Sequence, residues 1–203
     1  MNSFKKRTIA FITGSRADYR FIYWVMKCLQ SDSKVNLKIL VTGMHLSAEF
    51  GNTFSEVLND GFNIDFKIDM LIRSKNITKM TESVGKGIGG FARTFEKSDP
   101  DLVVVTGDRF EMLSAATAAM TMRIPIAHIG GGEISEGAID DTIRHSITKM
   151  SHIHFVAAKE YKQRVIQLGE NPNRVFNVGG LGVDSIKYLK LLSKHELEKD
   201  LNF

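Results

Sequence analysis

Leu102-Val103-Val104-Val105-Thr106-Gly107-Asp108-Arg109-Phe110-Glu111, near the middle of the chain, begins with four apolar, mostly β-branched residues and ends in charge. Such a run marks a strand buried on both faces, as the strands of a parallel sheet are. It stops at Thr106-Gly107, and Glu111 to Met120 is an Ala-rich helical stretch. Asp108 and Arg109 therefore lie between the carboxyl end of a strand and the amino end of a helix, where open α/β sheets bind ligands. Asp at a helix start is also a common N-cap, so position alone leaves Asp108 with either role.

The same alternation runs along the whole chain. Thr8–Thr13 reads as a first buried strand, followed by Gly14-Ser15-Arg16-Ala17-Asp18 and a helix through Tyr19 to Leu29. Val35–Thr42 is a second strand, closed by Gly43-Met44-His45, and a helix from Ser47 to Asn59 stops at Gly61. Phe62–Ile68 alternates with period two, as a half-exposed strand near a sheet edge does. Asn76–Lys97 carries helical spacing, but Gly85, Gly87, Gly89 and Gly90 each cost about 1 kcal/mol relative to Ala there. Either that helix packs very closely or the segment moves. Pro125–Ile129 is a short strand, leading into the loop Gly130-Gly131-Gly132-Glu133-Ile134-Ser135-Glu136-Gly137 and a helix from Ile139 to Met150. Ile153–Ala157 and Val175–Val178 are further strands, each followed by a helix, Lys159–Leu168 and Leu181–Leu192. This pattern predicts a doubly wound α/β domain with a parallel sheet.

Composition narrows the function classes. A hydrophobic share of 43% over 203 residues is enough for a sizeable core. Net charge is +4, part of it from Lys5-Lys6-Arg7, with no basic stripe interleaved with aromatics. That disfavours nucleic acid and leaves room for a small anionic ligand. Cys28 is the sole cysteine, so no internal disulfide forms, and a reducing cytoplasm is the expected compartment. No apolar run is long enough to span a bilayer, and no secretory leader pattern precedes the first strand.

Most strand ends deliver polar residues to one rim: Arg16 and Asp18, His45, Asp108 and Arg109, His128 and Glu133, then Asp140, Asp141, Arg144 and His145. Arginines, histidines and carboxylates converging on one crevice suit an anionic substrate and proton transfer. The turn after the first strand has Gly14 alone, with bulk and charge where a dinucleotide fingerprint needs further glycines. The Gly130–Gly132 run lacks the Lys-Ser/Thr ending of a P-loop. His152 and His154 have no thiol or carboxylate pattern around them that would favour a metal. Asp140 and Asp141 equally suit the positive end of a helix dipole, and His45 equally suits a satisfied loop histidine.

Five blocks occur together and in order: Thr13-Gly14-Ser15-Arg16-Ala17-Asp18-Tyr19, Val41-Thr42-Gly43-Met44-His45-Leu46, Thr106-Gly107-Asp108-Arg109-Phe110, His128-Ile129-(x)-Gly131-Gly132-Glu133 and Ile139-Asp140-Asp141-Thr142-Ile143-Arg144-His145. Together they resemble the UDP-N-acetylglucosamine 2-epimerases, and among them the hydrolysing branch of sialic-acid and legionaminic-acid biosynthesis. The resemblance implies a Rossmann-like N-terminal domain of the GT-B arrangement (UDP-glycosyltransferase/glycogen phosphorylase-like). Residues 1–180 would form that domain, and 181–203 would begin the crossing into a C-terminal, UDP-binding domain. It implies a cytoplasmic homodimer acting on a UDP-amino sugar, with no cofactor and no metal.

The implied reaction turns UDP-N-acetylglucosamine and water into N-acetylmannosamine and UDP, by anti elimination to a 2-acetamidoglucal and then hydration. UDP-N,N'-diacetylbacillosamine is the alternative substrate. A non-hydrolysing epimerase and an inert sugar-nucleotide-binding module are the alternative functions. Carried over residue by residue, the catalytic set is Asp108, Glu133, Asp140 and His45, and the substrate-binding set is Arg16, Arg20 and Arg109. The chain departs from the family at Gly130, where many members have Glu, and Glu133 is the nearest substitute.

Overall fold

A computed structural model describes residues 5–72, 76–136, 139–189 and 191–202. Strands β1 (Arg7–Thr13), β2 (Val35–Thr42), β3 (Phe66–Ile68), β4 (Leu102–Thr106), β5 (Ile126–Ile129), β6 (Ile153–Val156) and β7 (Val175–Asn177) pair in the order β3-β2-β1-β4-β5-β6-β7. Every pair is parallel. The order counts down to β1 and then up from β4, so the winding reverses between β1 and β4. Helices that follow these two strands leave in opposite directions, which opens a crevice at their carboxyl ends.

Successive side chains of the central strands point to opposite faces, and both faces are buried. Ala10, Ile12, Val103 and Val105 pack beneath α3 (Ile77–Ser98), α4 (Phe110–Thr121) and α5 (Asp140–Met150), meeting Phe91, Met112 and Ile147. Phe11, Ile39, Val41 and Val104 pack beneath α1 (Arg16–Gln30) and α2 (Phe54–Asn59), meeting Tyr19, Ile22, Met26 and Val57. Each such large apolar side chain stabilises the fold by about 1.5–3 kcal/mol. That two-sided burial is why β4 reads as an unbroken apolar run. Helix α6 (Lys159–Gln167) follows β6, and α7 (Leu181–Tyr188) returns to lie against α1, with Tyr188 and Trp24 ring centroids 5.2 Å apart.

Three predicted elements differ from those observed. The strand expected over Phe62–Ile68 shortens to β3, because Asp65 turns its carboxylate to the Ile39 N–H at 2.9 Å and to Lys38 at 2.8 Å. It is an edge strand, as expected. The helix expected from Ser47 to Asn59 is a 3-10 turn, Ala48–Phe50, separated from α2 by the left-handed Gly51 and Asn52. The helix expected over Leu181–Leu192 ends at Tyr188 as α7, and a further helix, α8 (Lys194–Asp200), lies beyond the expected range. Gly137 of the expected loop lies outside the described residues.

Close packing accounts for Gly87 and Gly90 of α3, whereas among the described residues a Cβ on Gly85 or Gly89 would meet no neighbour closer than 3.4 Å. A Cβ on Gly87 would come within 2.6 Å of Met70 Cε and 2.9 Å of Ser114 Oγ, and one on Gly90 within 2.8 Å of Ile68 Cγ2. Helix propensity is given up there so that α3 can press against α4 and the β3 edge. Among the described residues no helix is long and apolar enough to cross a membrane.

Candidate active site

The crevice at the winding reversal is a cavity of about 260 Å³ whose polar walls are Asp18, Asp108, Glu133 and Arg144. Asp108 reaches it because β4 ends at Thr106 and Gly107 turns the chain with φ 74°. Only glycine adopts that left-handed conformation without cost. Arg109 then occupies the N-cap position of α4 and makes no side-chain cap bond. Asp108 is therefore not spent on capping. Its carboxylate pairs instead with the guanidinium of Arg144 on α5.

Arg144 shapes this corner. Its guanidinium is 6% exposed, donates to Ser135 Oγ at 3.0 Å, and lies 3.6 Å from the Asp141 carboxylate. Burial pulls its pKa below the ordinary arginine value, and among the described residues its Nε and Nη1 have no hydrogen-bond partner. A buried guanidinium this short of acceptors holds tightly to the nearer of its two carboxylates, Asp108.

Glu133 is presented by the glycine loop after β5. Gly132 has φ 80°, and a Cβ there would stand 2.4 Å from the Tyr161 carbonyl oxygen. The Gly132 carbonyl accepts from Arg164. Burial raises the Glu133 pKa above the usual carboxylate range, which makes it a stronger base than a surface glutamate.

His128, wholly buried on β5, braces the turn that carries Asp108. Its Nε2 is 2.8 Å from the Gly107 carbonyl oxygen and its Nδ1 is 3.2 Å from Thr148 Oγ1. Burial pushes its pKa down to about 4, so the ring is neutral and carries one N–H. The carbonyl requires that proton on Nε2, which leaves Nδ1 to accept from Thr148.

A second ionic cluster underlies the β1 side. Glu111 is 0% exposed and takes Arg109 in a fork, Nε to Oε2 at 3.2 Å and Nη2 to Oε1 at 2.9 Å. Burial opposes the charge on Arg109, but Glu111, Asp18 and Asp140 outweigh it and raise its pKa. Gly43 allows this arrangement, because a Cβ there would lie 2.5 Å from Glu111 Oε1. Asp18, 8% exposed, accepts from the Gly14 N–H at 3.2 Å. Burial raises its pKa, with Arg109 pulling the other way.

The structure brings Asp108 and Glu133 together in the cavity and leaves the other expected site residues elsewhere. Asp140, in the first turn of α5, does not line the cavity; its charge acts on Arg109. His45 is buried behind β1, 2.9 Å from Thr13 Oγ1 and 2.8 Å from Thr53 Oγ1, and burial pushes it down to about 4. Arg16 and Arg20 lie on the exposed side of α1, paired with Glu56 at 2.6 and 3.0 Å. Two wall residues, Asp18 and Arg144, were expected at the rim but were in neither the catalytic nor the substrate-binding set. Helical phase could have found Asp18. It shares the inward stripe of Tyr19, Ile22 and Met26, whereas Arg16 and Arg20, four apart, share the outward one.

Comparison with known proteins adds the family. The family model for UDP-N-acetylglucosamine 2-epimerase matches residues 27–203. A Campylobacter jejuni GDP/UDP-N,N'-diacetylbacillosamine 2-epimerase (hydrolyzing) is 43% identical over 196 residues, covering 97% of this chain and 51% of the relative. A Legionella pneumophila UDP-N,N'-diacetylbacillosamine 2-epimerase (hydrolyzing) is 41% identical over 197 residues, covering 97% and 52%. The crystal structure of the Neisseria meningitidis UDP-GlcNAc 2-epimerase bound to UDP-GlcNAc superposes with a TM-score of 0.82 at 19% identity, over 96% of this chain and 54% of that one. That likeness speaks to the fold, an α/β Rossmann-like domain matching one half of such proteins. The chain spans about half the length of the curated relatives it matches. With that family model matching residues 27–203, the chain belongs to the UDP-N-acetylglucosamine 2-epimerase family.

Proposed function

We propose that this chain carries catalytic residues of a hydrolysing 2-epimerase acting on a UDP-linked amino sugar, and that the preferred sugar is N,N'-diacetylbacillosamine. The observation that carries the reading is the switch-point crevice in which Arg144 pairs with Asp108 and Glu133 lines the same cavity. Asp108, a fixed negative charge, stabilises positive charge that develops on C1 as the bond to the diphosphate breaks. Glu133 takes the proton from C2. Arg109 faces the diphosphate side, where a planar, permanent cation suits a phosphate. Asp140 and His45 act from outside the cavity, Asp140 through Arg109 and His45 by fixing Thr13 at the end of β1.

The substrate preference rests on the remaining walls. Phe21, Phe155, Val178 and Leu181 give the crevice apolar sides, which suit a 6-deoxy sugar with a second acetamido methyl better than one bearing hydroxyls at C4 and C6. Two relatives above 40% identity carry the diacetylbacillosamine name, whereas a relative named UDP-N-acetylglucosamine 2-epimerase, from Neisseria meningitidis, is 33% identical. A homodimer is carried over from the family resemblance, and light scattering on the purified protein tests it.

Proton NMR of the full gene product in D2O, with each UDP-sugar in turn, tests the function. Free UDP and a sugar deuterated at C2 are expected, faster from the diacetylated substrate. UDP retained on the product would make it a non-hydrolysing epimerase, and binding without turnover would make it a binding module. Faster turnover of UDP-N-acetylglucosamine would reverse the substrate assignment.

A further inference from the structure

We propose that Asp18 is a further catalytic residue of this crevice, touching the bound sugar and returning the proton to C2 from the β1 side. The inference rests on the hydrolysing 2-epimerase reading and adds a residue to it. Inversion at C2 needs a proton removed from one face of the sugar and supplied to the other, so it needs carriers on opposite sides. In the sheet, β4 lies between β1 and β5. Asp108 follows β4, Glu133 follows β5 and Asp18 follows β1, and all three line the same cavity. Asp18 and Glu133 therefore flank Asp108 from its two neighbouring strands. Asp108 itself is tied to Arg144 and poorly suited to carry a proton.

The setting of Asp18 suits that task. Its Oδ2 is fixed by the Gly14 N–H at 3.2 Å and its own N–H is capped by Ser15 Oγ at 3.3 Å. Ser15 and the Gly14 N–H both act on the carboxylate and hold it in one orientation at the wall. An aspartate in the first turn of a helix ordinarily faces water, yet this one is 8% exposed at the crevice wall. Its burial favours the protonated form, against the pull of Arg109.

The proton accounting closes. In the elimination the C2–H bond breaks, its proton passes to Glu133, the electron pair forms the C1–C2 double bond, and the C1–O pair leaves on UDP. In the hydration water oxygen bonds to C1 while the double-bond pair takes the proton of Asp18 at C2. The proton lost by water restores Asp18, and Glu133 releases its own to solvent.

Asp18→Asn in the full gene product separates the two half-reactions, and it keeps an acceptor for Gly14. With the UDP-sugar in D2O, UDP release should persist while the 2-acetamidoglucal accumulates. Its hydration should fall by about a hundredfold or more, and added glycal should be hydrated by the unsubstituted protein but not by the variant. Unchanged product formation would overturn the proposal, and so would equal loss of both half-reactions in a folded variant, the mark of a merely structural residue. If Asp18→Asn does not fold, Asp18→Glu is read by the same partition. An unsubstituted protein that releases no UDP from either sugar sinks the epimerase reading first, and this assignment with it.

Discussion

Adding one methyl group at Gly43 should cost far more than adding one at Gly51, although both glycines have left-handed backbones, with φ 57° and 82°. For an L-residue that conformation costs roughly 1–2 kcal/mol at either site. Among the described residues nothing lies within 4 Å of a Cβ built on Gly51, so Gly51→Ala should stop there. A Cβ on Gly43 would meet Glu111 Oε1 at 2.5 Å and the Gly14 carbonyl oxygen at 3.0 Å. The carboxylate must leave its fork with Arg109. Losing one partner of a fully buried pair costs about 3–5 kcal/mol, and the one-third exposure of Arg109 trims that to about 2–3 kcal/mol. Gly43→Ala is thus expected to destabilise by about 4 kcal/mol, some 2–3 kcal/mol beyond Gly51→Ala. Urea titration followed by far-UV circular dichroism measures both. Equal losses, within about 0.5 kcal/mol, would refute the claim that Gly43 exists to seat the Arg109–Glu111 pair.

Asp108→Asn should lower UDP release by about a hundredfold or more, as removal of one transition-state charge partner does; a coupled UDP assay reads it, and near-normal turnover removes Asp108 from the mechanism. Because Glu133 must be ionised to accept a proton and burial raises its pKa, kcat/KM should climb with pH through that raised value. Glu133→Gln should be slow and lack this acidic limb. Acidification should also unfold the chain through its buried imidazoles. His45 and His128 titrate near 4 when folded but near 6.5 when unfolded, so the unfolded chain gains protons first. Between pH 7 and pH 5 each should remove on the order of 2 kcal/mol of stability. Asp18 and Glu133, with raised pKa values, act in the opposite sense at lower pH. Urea midpoints at the two pH values test this, and His45→Gln should flatten the difference.

Strand positions were legible because burial on both faces leaves a simple mark: β4 and the second halves of β1 and β2 are apolar runs that end at a polar turn. The site was legible only to the level of the rim. Strand-end position identified Asp108 and Glu133, since the fold alone aims those loops at the crevice. Whether Arg16 or Asp18 enters depends on the phase of α1, which Ser15 sets by capping at its N-terminus. Arg144 was harder still. It lies on α5, 36 residues from Asp108, and nothing local distinguishes a helical arginine that points inward from one that points to water. His45 followed the motif into the expected set, yet two threonine hydroxyls hold both its ring nitrogens away from the crevice. The glycines of α3 offered close packing or movement as equal readings, and the neighbouring Met70, Ser114 and Ile68 decide for close packing at Gly87 and Gly90 alone.

Sheet order also imposes a waiting time during synthesis. β1 gains its second neighbour only when β4 is made, and the Asp101 side chain that closes this seam bonds the Thr8 N–H across 93 residues. At 5–20 residues per second, the β1 edge stays unpaired for about 5–20 s on the ribosome. Phe11 and Ile12 lie along that open edge, an apolar template for pairing with another nascent chain. The strand that delivers Asp108 is thus also the one that ends the chain's most vulnerable interval. Substitutions that weaken the seating of β4, such as Val104→Asp, should lower the soluble yield at high expression more steeply than they lower the melting temperature of the protein that does fold.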